Sequence, residues 1–281
     1  MKKPTITIRL PVGFTDNQQR LVLKYLFEGR KRISGAEWPI LLRSFNQLHR
    51  AQVTTQTRIS TFRRVYKREV DRRFSDQYLD QLLKLSDVRR EFFSLRDVFS
   101  RAIVTHFQQA GLQRDDLPAT NLFLAYSLYF WESFAVGYAF EVQIYRDLTA
   151  AGIIFETHNL RDRKDRRSFS DLKVLGLSGD IKSSLYFLDV GRNRNLPHDF
   201  YVTRFYDKKG RQRILVVMLK PEAWNLINGE TITMLLQEAI EAFPSPARVE
   251  LQVGTVVIVD YEIWKTKVLS YQYEGENYNN G

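Results

Sequence analysis

Apolar positions fall in two rhythms along the chain, and the change of rhythm divides it. From about residue 15 to 112 they recur at helical spacing, as in Leu21, Leu23, Tyr25 and Leu26 and again in Trp38, Ile40, Leu41, Leu42 and Phe45. A strict alternation over 5–10, Thr5-Ile6-Thr7-Ile8-Arg9-Leu10, predicts one strand ahead of them. Asp16, Ser34, Ser75 and Ser86 are placed to cap successive helices. Gly111 is placed to end the fourth, and Pro118 with Thr120 to open the next. A long helix is expected over 122–151, with room for a break near Gly137 and an end at Gly152.

Beyond Gly152 the period shortens to two. A short strand is expected at 153–155, then a polar loop over 159–167. Two strands follow, 169–175 and 179–188, joined by a turn around Gly176. Another pair, 200–206 and 213–219, flanks Asp207-Lys208-Lys209-Gly210-Arg211, a hairpin signal. A helix over 231–242, a break at Pro244 and Pro246, and strands at 249–253 and 256–261 complete the pattern. The expected organisation is a mainly helical domain over 1–125, an α/β domain with a mixed sheet over 126–272, and a disordered tail over 273–281.

Composition narrows the chemistry. There is no cysteine, which excludes disulfide scaffolds, thiolate zinc sites and cysteine nucleophiles. The four histidines, His49, His106, His158 and His198, lie too far apart for a paired-histidine zinc motif. His198, single and in a loop, reads as an ordinary surface residue. The aromatic residues recur at helix or strand spacing and read as core. The most apolar stretch, 122–140, is interrupted by Glu132 and gives no span of about twenty apolar residues. With no targeting pattern at Met1-Lys2-Lys3-Pro4, a soluble, cytoplasmic protein with no membrane partner is expected.

Charge changes the picture more. The net charge of +10 is unevenly spread: residues 1–130 and 161–220 carry the cationic excess, whereas 131–160 and 221–281 are net acidic. Such a field favours a polyanionic partner, nucleic acid first. The densest run holds Arg58, Arg63, Arg64, Lys67, Arg68, Arg72 and Arg73, with 64, 68 and 72 on one helical row. That row reads either as a solvated face or as a helix that contacts phosphates without reading bases. Arg161, Arg163, Lys164, Arg166 and Arg167 form a basic loop, and Lys208, Lys209, Arg211 and Arg213 a basic hairpin. Either can hold a phosphate backbone or be merely solvated.

One acid-and-lysine grouping lies between these blocks. Asp171 stands near the start of a strand, and Gly179-Asp180-Ile181-Lys182-Ser183-Ser184 follows across the turn. On a strand, Asp180 and Lys182 project from one face and Ile181 from the other. A turn on Leu175-Gly176 would set Asp171 opposite Asp180. Two carboxylates about 4 Å apart repel by roughly 4 kcal/mol at an effective dielectric near 20, so such a pair calls for a shared cation. Mg²⁺ accepts one or two protein carboxylates and completes its shell with water and phosphate oxygens. Such an ion acidifies a water and stabilises a leaving alkoxide, the requirements of phosphodiester hydrolysis. Lys182 is then suited to positioning that water and stabilising charge rather than to acting as general base. Glu141 stands on the preceding helix. Glu132, nine residues earlier, would face the opposite side, and Glu141 is the better placed of the two.

This order of a helix Glu, a helix end at Gly152, a strand, Asp171, a hairpin and Asp180-Ile181-Lys182 resembles the PD-(D/E)XK, restriction-endonuclease-like nuclease superfamily. Gly137, Phe140, Glu141, Leu148 and Gly152 look like the helix that opens its core, and Gly179–Ser184 like its signature strand. The resemblance covers roughly residues 131 to 220, and departs from the motif in having Ser170, not proline, before Asp171. It implies an α/β fold with a restriction-endonuclease-like mixed-sheet core behind a mainly helical N-terminal domain. It also implies Mg²⁺-dependent cleavage of nucleic acid, with Mn²⁺ able to substitute. Asp171 and Asp180 would be metal ligands, Glu141 an auxiliary ligand and Lys182 the active-site lysine. The expected activity is an endonuclease on double-stranded DNA in a restriction or defence setting, with a homodimer plausible because duplex cutting needs two sites. The alternatives are a catalytically inactive nucleic-acid-binding protein on the same fold, and an RNA-directed or a recombination or transposition nuclease.

Overall fold

A computed structural model describes residues 15–28, 33–37, 40–41, 43–44, 63–112, 118–185, 187–188, 196–206, 211–227, 232–241, 246–251 and 254–279. The expected strand at 5–10, Arg58, Lys208 and Lys209 lie outside them. The chain divides into two compact units, one of residues 1–84 and 91–135, the other of 85–90 and 136–281. The division falls inside two helices, about ten residues beyond the boundary that the change of rhythm suggests.

The described residues of the first unit are mainly helical, as the periodicity predicts. Helix α1 spans Asp16–Glu28. Its cap is Thr15 rather than Asp16: Gln18 N–H donates to Thr15 Oγ1 (3.3 Å), and Thr15 N–H to Gln18 Oε1 (3.0 Å). Ser34 caps as expected, with the reciprocal pair completed by Glu37. Helix α2 spans Arg72–Leu82, entered through a π-helical turn at Lys67–Asp71. Ser75 is therefore inside a helix, hydrogen-bonded to Asp71 Oδ1 (2.8 Å), and is not a cap. Helix α3 spans Val88–Gln109, and its first free N–H groups are met by Asp87 rather than Ser86. Gly111, at φ 65°, ends it. Tyr78, Phe99, Trp131 and Phe134 pack edge-to-face and stacked with centroids 5.1–6.0 Å apart, an aromatic core as expected.

Helix α4 spans Pro118–Ala150 without interruption, so Gly137 makes no break. Gly152, at φ 75°, supplies the left-handed residue that ends it. The second unit is a mixed α/β fold around an eight-stranded sheet. Its strands are β1 Glu156–Thr157, β2 Leu172–Val174, β3 Leu177–Lys182, β4 Phe200–Tyr206, β5 Gln212–Met218, β6 Ile232–Met234, β7 Ala247–Leu251 and β8 Gly254–Asp260, in the order β1-β2-β3-β4-β5-β8-β7-β6. The β3–β4 and β6–β7 pairs are parallel and the rest antiparallel. The strand expected at 153–155 forms instead at 156–157, because Ile153 goes into the core and the N–H and C=O of Ile154 bond to Gln272. The helix expected over 231–242 is split into strand β6 and a short helix over Leu236–Glu241. Apolar residues at 232 and 234 serve a strand as well as a helix, and pairing with β7 decides.

Alternation along the strands serves two layers. Val202, Val216, Met218, Val257 and Val259 face one core with Phe140, Ile144 and Leu148 of α4. Tyr201, Phe205, Leu215, Val217 and Ile258 face the other with Ala239. Between the strands, α5 spans Pro221–Trp224 and α6 Leu236–Glu241. Helix α7 spans Tyr261–Asn279 and buries Trp264 and Val268 against the first core. Asp260 Oδ1 accepts from Glu262 N–H (2.7 Å) and caps it. The anchored helix runs on through the segment expected to be disordered, since nothing between 273 and 279 breaks it as proline would. Among the described residues, no helix is long and apolar enough to cross a membrane.

Two local features fix the β2–β3 hairpin. Its turn is Leu175-Gly176, both at positive φ (52° and 77°), the two-residue geometry that matches strand twist. Gly179 leaves room for the Phe200 ring of the parallel neighbour: a Cβ there would lie 2.3 Å from Phe200 Cζ. Leu175→Asn is expected to stabilise the protein by about 0.5–1 kcal/mol by relieving the left-handed leucine. Gly179→Ala is expected to destabilise it by about 1–3 kcal/mol by forcing Phe200 from its core position. Chemical denaturation of the two variants checks both signs.

Candidate metal centre

One helix and the two strands of a hairpin bring the expected residues together. Glu141 is one residue from Phe140, which anchors α4 in the core, and is itself only 6% exposed. One turn on, Tyr145 Oη lies 2.7 Å from both Glu141 Oε1 and the Asp171 carbonyl oxygen. Burial, with Glu141 and Asp171 nearby, pushes the Tyr145 phenol far above its ordinary range, so the hydroxyl stays protonated and ties helix to strand.

The hairpin turns where the sequence suggests, and β2 pairs with β3 as Leu172↔Gly179. One step further the ladder loosens. Asp171 N–H donates to Gly179 C=O (3.1 Å), and the Asp171 carboxylate takes the place of a backbone acceptor, receiving Ile181 N–H at Oδ2 (2.8 Å). On its other side β2 pairs with β1 as Thr157↔Leu172, and one more step in that register sets His158 opposite Asp171. The ring follows: His158 Nδ1 is 3.9 Å from Asp171 Oδ1, and Nε2 is 2.9 Å from Glu141 Oε1. His158, Asp171 and Asp180 thus form a row across three adjacent strands, with Glu141 reaching it from α4.

This row is crowded with negative charge. Asp171 is pushed up to about 8, by burial first, then by Asp180 and Glu141, against the Ile181 N–H. Burial disfavours a cationic His158, but Glu141 and then Asp171 outweigh it and hold its pKa above the ordinary value. One ligand atom each from Glu141, His158 and Asp171 lies within 4.8 Å of the other two, a spacing able to hold a metal ion. The donor set, two carboxylates and one imidazole, fits a divalent cation.

Asp180 and Lys182 share a face, as strand alternation predicts, while Ile181 enters the core. Lys182 Nζ pairs with Asp180 Oδ2, and the lysine side chain remains 41% exposed. His198 Nε2 lies 3.7 Å from the same oxygen. The expectation of a surface histidine is wrong: His198 is 6% exposed, its ring 4.7 Å from Phe169 and 5.4 Å from Tyr201. Burial and Lys182 hold its pKa below the ordinary value despite Asp180. The sequence near His198 supplies only Tyr201; Phe169 is brought over the ring by tertiary packing. His158 could have been found, since it lies as far before Leu172 in one register as Asp171 requires, but a two-residue edge strand is hard to read.

The remaining sequence candidates scatter. Glu132 belongs to the first unit, where Arg96 Nη1 holds it at 2.7 Å. Arg64, Lys67, Arg68 and Arg72 are exposed in the first unit. The π turn breaks their straight i, i+4 row, and Arg68 turns to Glu69. Arg161, Lys164 and Arg167 are exposed on a loop that folds on itself, with Arg163 and Arg166 partly buried and Arg166 Nη1 donating to Leu160 C=O (2.9 Å). Arg211 is exposed next to β5. No family model, curated protein or solved structure matches the chain.

The raised Asp171 pKa links folding to pH. An acid raised in the folded state adds stability fully present below its unfolded value, near 3.8, and lost as pH rises toward 8. Without metal, the wild type should therefore lose stability relative to Asp171→Asn between pH 4 and 8, by on the order of 2 kcal/mol. His158 titrates in the same sense, so the difference between the proteins, not the wild-type curve alone, reports Asp171. Thermal melts of both in EDTA check this; parallel curves would contradict it.

Proposed function

We propose that this chain is a divalent-metal-dependent phosphodiesterase that cuts DNA, on a second unit of restriction-endonuclease-like type. The observation that carries the reading is the convergence of Glu141, Asp171 and Asp180, from one helix and two strands, with Lys182 beside them. The order of α4, the β2–β3 hairpin and the parallel strand β4 agrees with such a core.

Glu141, His158 and Asp171 would hold the ion, with Asp180 next to them. A bound divalent cation supplies a Lewis acid for a phosphoryl oxygen and an acidified water at neutral pH. The protein's own groups do the rest. Tyr145 fixes Glu141 relative to the Asp171 backbone. Lys182, paired with Asp180 but open to solvent, steadies an incoming water and the charge that develops on phosphate. The exposed cations of the loop that precedes Asp171 give a polyanion backbone an approach to the same unit. A polyanionic duplex fits the charge distribution, and a restriction or defence role is the setting that the resemblance suggests.

Plasmid incubated with Mg²⁺ or Mn²⁺ should be nicked or linearised, and EDTA should abolish the reaction. Lys182→Met should lower the rate by about 10²-fold or more by removal of charge stabilisation at the reacting phosphate. Asp180→Ala should lower it by a similar factor, because Lys182 loses the carboxylate that positions it. Cleavage that survives EDTA and Asp180→Ala would remove the assignment, and a near-normal rate for Lys182→Met would remove the lysine's role. Labelled single- and double-stranded DNA and RNA, run in parallel, separate a DNA enzyme from an RNA-directed one. Metal-independent DNA binding with no cleavage would mark an inactive binding protein.

A further inference from the structure

The acids of the centre are those the hairpin motif suggests, but the buried imidazole is not. The His158 side chain is only 3% exposed. Its Nε2, although 2.9 Å from Glu141 Oε1, makes no hydrogen bond. That oxygen already has a partner in Tyr145 Oη. Its Nδ1 lies 3.5 Å from the Ser170 carbonyl oxygen, which orients the ring. A buried ring nitrogen without a hydrogen bond, aimed at a carboxylate within the spacing of a metal site, points to a ligand that nitrogen would share with Glu141 and Asp171.

Resting on the reading of the site as a metal centre, we propose that its ion is a first-row transition cation, Mn²⁺, held by Glu141, His158 and Asp171, rather than Mg²⁺ held by the two hairpin aspartates. Mg²⁺ takes oxygen ligands and gives up its waters reluctantly, so one imidazole in a three-group set works against it. Imidazole suits the first-row transition ions, and two carboxylates to one nitrogen select the oxygen-loving end of that row. Mn²⁺ satisfies both demands and still leaves positions for water and phosphate oxygens. Asp180 lies beside Asp171 and also pairs with Lys182, with His198 near the same oxygen. It therefore sits beside the three-ligand set and shapes the lysine side of the site.

The test is spin-echo electron paramagnetic resonance of the full chain titrated with Mn²⁺, with Mg²⁺ as competitor. One Mn²⁺ per chain is expected, with a ¹⁴N modulation from a bound imidazole, and Mg²⁺ should displace it only in at least about tenfold excess. His158→Asn should lose the modulation and lower the preference for Mn²⁺ over Mg²⁺ by about tenfold. His198→Asn should keep both, which assigns the nitrogen even if the His158 variant does not fold. Wild-type Mn²⁺ without nitrogen coupling, coupling lost in His198→Asn, or no Mn²⁺ bound would each overturn the proposal. Nitrogen-coupled Mn²⁺ on a protein that leaves every nucleic acid intact would keep this centre and remove the phosphodiesterase.

Discussion

The second unit is organised around a concentration of buried negative charge. Glu141 and Asp180 are buried, and Asp171 touches the fields of both. Removing a carboxylate from water is unfavourable, and placing it beside others is more so. Partial remedies are visible: Asp171 accepts a backbone N–H, Glu141 accepts a phenol, Asp180 pairs with Lys182, and His158 is drawn toward its cationic form. The remaining imbalance raises the Asp171 pKa well above the usual carboxylate range. A divalent ion would offset that imbalance and satisfy several oxygens at once.

The scaffold holds these groups where they conflict. Helix α4 is fixed by Phe140, Ile144 and Leu148 in the same core that holds Ile181, Leu172 and Val174 of the hairpin. Glu141 and the hairpin are thus positioned by one packed layer, and a shift of either would disturb its apolar contacts. Asp199 adds a second fixing point. Its carboxylate accepts the Ser178 N–H (2.7 Å) and Oγ–H (2.8 Å), and it pairs with Lys220 (2.5 Å), locking the start of β3 to the start of β4. Lys220 and Ser178 hold Asp199 below the usual carboxylate range, against its burial. These bonds offset the cost of burying Asp199, which separates it from Asp171 two strands away.

Much of this was legible in the sequence wherever local rules decide. The turn at Leu175-Gly176 and the shared face of Asp180 and Lys182 follow from strand alternation and turn chemistry. The preference for Glu141 over Glu132 follows from helical geometry, and the two residues do part, Glu132 going to Arg96. What was illegible depends on distant partners. His158 joins the site through a two-residue edge strand, and His198 is covered not only by nearby Tyr201 but by Phe169 from a distant segment. Residues 232–234 read equally well as helix or strand until β7 supplies hydrogen bonds. The basic row through 64, 68 and 72 is broken by a π turn that no periodicity announces. Arg64 and its neighbours therefore offer cations, but not the straight stripe a helical wheel suggests.

The most direct measurement is a crystal of the full chain soaked in Mn²⁺ and recorded at a wavelength where manganese scatters anomalously. The account predicts one strong peak in direct contact with Glu141, His158 and Asp171. An empty map there, or a peak on carboxylates elsewhere while these three side chains stay joined only to each other, would contradict it.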